Sequence, residues 1–182
     1  MASIYAGLGE FDRALSALDE VRAAYPQNPV VDGEEGLILA HAGRWTRAEA
    51  ALRKAVTIQP NDANVLNALG LVAWQHNHDL AGAATYFSRA LAVHTDLDDF
   101  CASLHSNLGA VYGEQGRFSD AIAEFHLALR VVPNDPAYLT NLGTAFAAVG
   151  RLDDARAQLQ AALAVAPDYE PARVALQQLS RQ

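Results

Sequence analysis

Apolar residues fall three, four and seven positions apart through most of this chain, and the pattern itself returns with a longer period. Its anchor is an alanine: Ala14, Ala48, Ala83, Ala121 and Ala155 recur at intervals of 34, 35, 38 and 34, closing the stretches GEFDRA, GRWTRA, HDLAGA, GRFSDA and GRLDDA. Four and seven residues after it come Leu52 and Ala55, Phe87 and Ala90, Phe125 and Ala128, Leu159 and Ala162. Upstream stand Glu35-Gly36, Leu69-Gly70, Leu108-Gly109 and Leu142-Gly143, each followed three residues later by an apolar side chain, Leu39, Ala73, Tyr112 or Phe146. Such spacings describe one buried face of a helix, so each period holds two amphipathic helices. A unit of this size cannot bury a core alone and must stack on its neighbours, which predicts an all-α repeat array.

The residues between the helices support the same division. A Gly before the second helix supplies a left-handed cap for the first, and Pro60, Pro133 and Pro167 close complete units, with Pro26 closing an incomplete first one. Asn61-Asp62 and Asn134-Asp135 are placed to cap the helices that follow. The Gly of each Leu-Gly pair lies inside a helix, where it costs about 1 kcal/mol relative to Ala. Its return implies close approach of another element, with the large Tyr112 or Phe146 interlocking with the small Ala121 or Ala155.

These residues resemble the tetratricopeptide repeat (TPR) family, whose pattern is W-x2-LG-x2-Y, then A-x3-F and a closing P. The likeness spans nearly the whole chain: a partial repeat at 1–28, repeats at 29–62, 63–101, 102–135 and 136–169, and a capping helix at 170–182. The early tryptophan of the pattern is replaced by Asp32, Leu66, His105 and Leu139. The resemblance implies a single right-handed solenoid of antiparallel helix hairpins.

Two irregularities stand out. The stretch from Pro60 to Pro133 is five positions longer than two regular repeats. One extra residue is expected in the loop at Gln75 to Asp79. The other four fall between Leu97 and Ala102, so the first helix of the 102–135 repeat is expected to start a turn early, near Thr95 or Asp96, with Leu97 on its apolar stripe. The tail places Ala172, Ala175, Leu176 and Leu179 on one side of a helix, as a closing cap requires.

In TPR-like arrays the first helices line a concave groove, which the resemblance carries onto Asn64, Asn67, Leu71, Trp74, Ser106, Asn107, Glu114, Thr140, Asn141 and Thr144, with Glu34, Leu37, His41 and Ala148 on the same face. Asn107 and Asn141 precede Leu-Gly in equivalent positions, an arrangement similar to the asparagine ladder in the TPR superhelix of O-linked GlcNAc transferases; Ala68 and Glu34 stand where two further rungs would be. An asparagine amide can pair with both the N–H and the C=O of an extended peptide. Trp74 offers a large anchor on such a surface. The groove lacks the clustered Lys and Arg that would clamp a C-terminal carboxylate.

The family therefore implies a non-catalytic scaffold or adaptor that binds a peptide segment or partner helix. Two alternatives share the same sequence features: a self-assembling homo-oligomer joined through its ends, and a recruiting domain cut from a larger enzyme.

Composition narrows the partners. Lys plus Arg number 13 and Asp plus Glu 21, a net charge of −8, which argues against nucleic acid. The chain has one cysteine and no long apolar run, so a disulfide framework and membrane insertion are not expected and a cytoplasmic setting fits better than a secreted one. Cys101, His105 and His94 are close enough to suggest half a metal site, but a buried thiol with surface histidines is the favoured reading; no cofactor, metal or catalytic group is assigned.

Overall fold

Each complete hairpin begins where its sequence offers a cap. Helix α3 (Pro29–His41) starts behind Asn28, whose side chain accepts from the Val30 N–H at 3.0 Å. Asp62 accepts from the Asn64 and Val65 N–H groups and opens α5 (Ala63–Leu71); Asp135 accepts from Ala137 and Tyr138 and opens α9 (Pro136–Ala148). Such caps are each worth about 1 kcal/mol. The second helices, α4 (Trp45–Ile58), α8 (Phe118–Val131) and α10 (Leu152–Val165), follow glycines at positive φ: Gly43, Gly116 and Gly150.

The computed structural model describes residues 1–26 and 28–181, and among these there are helices and no strands. The chain divides into two compact units, Met1–Val93 and His94–Gln182. The first holds α1 (Ala2–Gly7) and α2 (Phe11–Ala24), then α3 with α4, then α5 with α6 (Leu80–Val93). The second holds α7 (Asp99–Glu114) with α8, α9 with α10, and α11 (Glu170–Leu179). Each is an all-α stack of antiparallel hairpins, the TPR-like solenoid class.

The recurring alanine is fully buried in every hairpin, at Ala14, Ala48, Ala83, Ala121 and Ala155. Around it, Leu39, Leu52, Val65 and Leu69 form the core of the first unit, while Phe125, Leu142, Phe146 and Leu159 form that of the second. Side chains of this size stabilise by about 1.5–3 kcal/mol each when fully buried. The intrahelical glycines face the residue four beyond the alanine: a Cβ on Gly143 would stand 2.9 Å from Cγ of Leu159 and 3.2 Å from the Ala155 carbonyl oxygen. The close approach is therefore to Leu159 and its equivalents rather than through an interlock of Phe146 with Ala155.

That freedom leaves the large aromatic residue another partner. The guanidinium of Arg117 stacks 4.0 Å over the Tyr112 ring, and that of Arg151 stacks 4.3 Å over Phe146. Each arginine also pairs with the aspartate three residues on, Asp120 or Asp154. In these two hairpins the Gly-Arg pair thus covers the end with a cation–π contact, whereas Arg44 of the Gly43-Arg44 pair reaches Asp12.

Polar residues at the missing tryptophan position are paired. Asp32 is 8 % exposed and lies 2.6 Å from Lys54 Nζ and 3.3 Å from Arg22 Nη2. Nδ1 of His105 lies 2.7 Å from Glu124 Oε2. Both contacts tie elements of one unit together across the place a tryptophan would fill.

The two irregularities differ from their sequence-based placement. The extra residue between Gly70 and the next hairpin arm is absorbed within the helix, as a π-helical turn at Val72–His76, and not in the loop. One inserted residue is what such a turn accommodates. At the junction, α7 starts at Asp99 and not near Thr95 or Asp96. Asp98, extended at φ −120 and ψ 179, is its cap and accepts from the Cys101 N–H and from His94. An extended cap residue cannot also belong to the helix, so Leu97 is 81 % exposed and off the apolar stripe. In α11, Ala172 and Leu179 are buried against the second unit's core; Gln182 lies outside the described residues.

Candidate functional site

The first helices of each unit present a stripe at helical spacing that the second helices do not cover. In the second unit, α9 contributes Asn141, Thr144, Ala145 and Ala148, spaced by three, four and seven. Opposite them α7 contributes Ala110, Gly113 and Glu114, and Phe118 and Phe125 of α8 form the floor. The small residues on facing helices leave a largely apolar pocket of about 280 Å³. Asn141, Thr144 and Glu114 put amide, hydroxyl and carboxylate around it.

A pocket of the same construction lies in the first unit. There α3 contributes Glu34, Leu37, Ile38 and His41, α1 contributes Ser3, Ala6 and Gly7, and Phe11 of α2 lies beneath, around about 450 Å³. Position by position it is the second unit's pocket three repeats earlier: Phe11 for Phe118, Glu34 for Asn141, Leu37 for Thr144, His41 for Ala148. The repeat thus builds the same cavity twice and changes its chemistry.

Not every residue nominated from sequence lines these pockets. Ser106 and Thr140 are 8 % and 6 % exposed. The Thr140 hydroxyl donates to the Pro136 carbonyl at 2.6 Å, and the Ser106 hydroxyl accepts from the Asn141 amide at 3.4 Å. Both are buried, and Ser106 holds the Asn141 amide. Thr144 donates to the Thr140 carbonyl at 2.9 Å and is exposed on the pocket's edge. Asn67 and Asn107 are half-buried and engaged within the protein. Asn64 is exposed in the first turn of α5, and Leu71 is half-buried on the same helix. Trp74 lies in the π-helical turn, half-buried, edge-on to Phe87 with ring centroids 6.5 Å apart. Its indole is therefore packed in part against its own hairpin. Phe118 and Phe125 line the second pocket although the apolar spacing of their helix reads as pure core.

A third cavity, about 260 Å³, lies between α4 and α6 over the π-helical turn. Its charges are matched internally: Arg53 pairs with Glu49 at 2.8 Å, Arg89 donates to the Pro60 carbonyl at 3.0 Å, and Asp79 accepts from the Gly82 N–H at 2.9 Å. The Arg53 hydrogen bond, with help from Asn77, holds the Glu49 carboxyl below the usual carboxylate range.

The residues considered for a metal are otherwise engaged. His105 bonds Glu124, His94 bonds Asp98, and burial pushes the Cys101 thiol up. Among the described residues no three His, Cys, Asp or Glu side chains converge, and no helix is long and apolar enough to cross a membrane.

Family models described as tetratricopeptide repeat match residues 1–63, 61–134 and 99–168. No curated protein matches the chain by sequence search. Among solved structures, the APC/C hetero-tetramer Cut9–Hcn1 is similar with a TM-score of 0.89 at 23 % identity, over 98 % of this chain and 35 % of that one. The present chain therefore spans about a third of that relative. MamA is similar with a TM-score of 0.77 at 24 % identity, over 91 % and 94 % of the two chains. YrrB, described as a TPR protein with an unusual peptide-binding site, gives 0.78 at 18 % identity, over 97 % and 88 %. At these identities the likeness is one of fold.

Proposed function

Because the chain belongs to the tetratricopeptide repeat family, a family of protein-interaction scaffolds, we propose that it is a non-catalytic adaptor whose first-helix faces hold an extended peptide segment of a partner protein. The observation that carries this reading is the pocket that recurs three repeats apart, between neighbouring first helices of each unit. A cavity that returns with the repeat, open along the helix face and floored by a phenylalanine, suits one side chain of a peptide per pocket. Asn141, held by Ser106, keeps amide hydrogen-bonding capacity directed at the second pocket, where a peptide N–H and C=O could pair with it. YrrB's description as a peptide-binding TPR protein lends support from a similar fold.

Selection of peptides on the immobilised chain, followed by affinity measurement on two variants, tests this. Thr144→Arg with Ala148→Arg places two long side chains at exposed positions of the second pocket; Asn141→Ala removes the amide. Selected peptides should lose about tenfold or more in affinity, corresponding to about 1.4 kcal/mol. Peptides that bind wild type and both variants equally would overturn the reading.

A further inference from the structure

The two equivalent pockets carry their acid in different places: Asn141 and Glu114 of the second are Glu34 and Gly7 in the first. Glu34 is half-buried, lines its pocket, and makes no hydrogen bond or ion pair with any described residue. Its neighbour shows that cations were within reach of the helix. Glu35, on the other side of α3, takes Arg22 at 2.6 Å and Arg47 at 3.6 Å, while Asp32 takes Lys54. Three of the first unit's cations, Arg22, Arg47 and Lys54, thus pair with Glu35 and Asp32, while Glu34 lines its pocket with Phe11, Leu37, Ile38 and His41 and pairs with none of them.

We propose that this first-unit pocket receives the cationic side chain, arginine or lysine, of a bound peptide, with Glu34 as its counter-ion. The inference rests on the peptide-binding reading above and assigns the pocket a specificity. A partly desolvated carboxylate gains from a cation more than a fully hydrated one does, and a charge-assisted hydrogen bond is about twice as strong as a neutral one. The aliphatic stem of an arginine or lysine matches the apolar walls of Leu37, Ile38 and Phe11, as these side chains bury their methylenes and keep the charged head at a polar group. The net charge of −8 favours the approach of such a peptide. The cavity is a product of the repeat geometry, because the second unit forms it where α7 and α9 are both complete. There Asn141 and Thr144 replace Glu34 and Leu37, and the carboxylate of that pocket, Glu114 on α7, is already engaged within the protein.

The test uses the isotopically labelled 182-residue chain and two capped pentapeptides, Gly-Ser-Arg-Ser-Gly and the same peptide with citrulline for arginine. Citrulline keeps the shape and removes the charge. The arginine peptide should shift the amide resonances of α1 and of Glu34 to His41, and bind about tenfold more tightly than the citrulline peptide. Glu34→Gln should abolish the difference while retaining a folded spectrum, since no internal bond is lost. Equal binding of the two peptides at this face, with Glu34→Gln inert, overturns the cationic assignment and leaves peptide binding standing. Arginine-dependent shifts confined to other acidic positions, or none with either peptide at millimolar concentration, also overturn it. The peptide-selection experiment on the second pocket decides the broader reading independently.

Discussion

The ring of Phe87 occupies the space that a side chain at Gly70 would need: a Cβ on Gly70 would stand 2.6 Å from Cε1 of Phe87. Phe87 is fully buried, so its ring cannot swing aside into solvent. Two effects oppose each other in Gly70→Ala. Helix propensity favours Ala by about 1 kcal/mol, and overpacking costs about 1–3 kcal/mol. The clash should win, lowering the urea midpoint, and Phe87→Leu in the same chain should recover part of the loss. A stabilised Gly70→Ala variant would show that the ring is not fixed.

His78 takes the left-handed conformation, φ 55, that Gly43, Gly116 and Gly150 take in the other complete hairpins. A residue with a Cβ is strained there by about 1–2 kcal/mol, offset in part by the greater unfolded-state freedom of glycine. His78→Gly should therefore stabilise the chain by up to about 1 kcal/mol in thermal or urea unfolding. Gly116→Ala should do the opposite. If His78→Gly destabilises, the imidazole makes a contribution that exceeds the backbone strain.

The sequence displayed the parts of this fold that repeat. Ala48, Leu52 and Ala55 show their buried face through spacing alone, and Asp62 and Asp135 announce helix starts because capping chemistry is local. What escaped was set by a single competing interaction. Asp98 could have been a first-turn residue or a cap, and its bonds to Cys101 and His94 decide for the cap. Likewise Ser106 and Thr140 carry hydroxyl groups that suit a wet groove, yet bonds to Asn141 and to the Pro136 carbonyl satisfy them in the interior. Side-chain pairing across elements, as between Asp32 and Lys54, leaves no periodic trace in a sequence and becomes visible only when the helices are assembled.

Acid should weaken the first unit through Glu49. Its carboxyl titrates below the ordinary range in the folded state, first because Arg53 bonds it and then through Asn77. A folded-state pKa below the unfolded one means that the contribution is complete above the unfolded pKa, about 4.3, and is lost as pH falls through the lower folded value. The pair is partly solvated, so its contribution is modest. Melting temperatures of wild type and Glu49→Gln should differ at neutral pH and converge as the pH is lowered through the carboxylate range. A constant gap across that range would mean that Glu49 acts by shape rather than charge.

The π-helical turn yields the sharpest test of how the array absorbs irregularity. His78, the left-handed residue, follows Gly70 by eight positions, whereas Gly116 follows Gly109, and Gly150 follows Gly143, by seven. The extra residue is taken up by the wide turn Val72–His76, where the Asn77 N–H reaches back to the Val72 carbonyl at 3.1 Å. Gln75 is exposed within that turn. Deleting it should restore an α-helical path with Trp74 still four positions beyond Gly70 and the cap at His78 in its normal register. The variant should unfold cooperatively, within about 1 kcal/mol of wild type, because the one wide turn is replaced by regular α-helical bonds. Deleting Ala147 from the regular helix α9 is the contrast. There each following residue rotates by about 100° around the helix, which disrupts the approach to the Gly150 cap and should cost several kcal/mol. Equal damage from the two deletions would show that the extra residue is built into the packing of the first unit and not held in the turn.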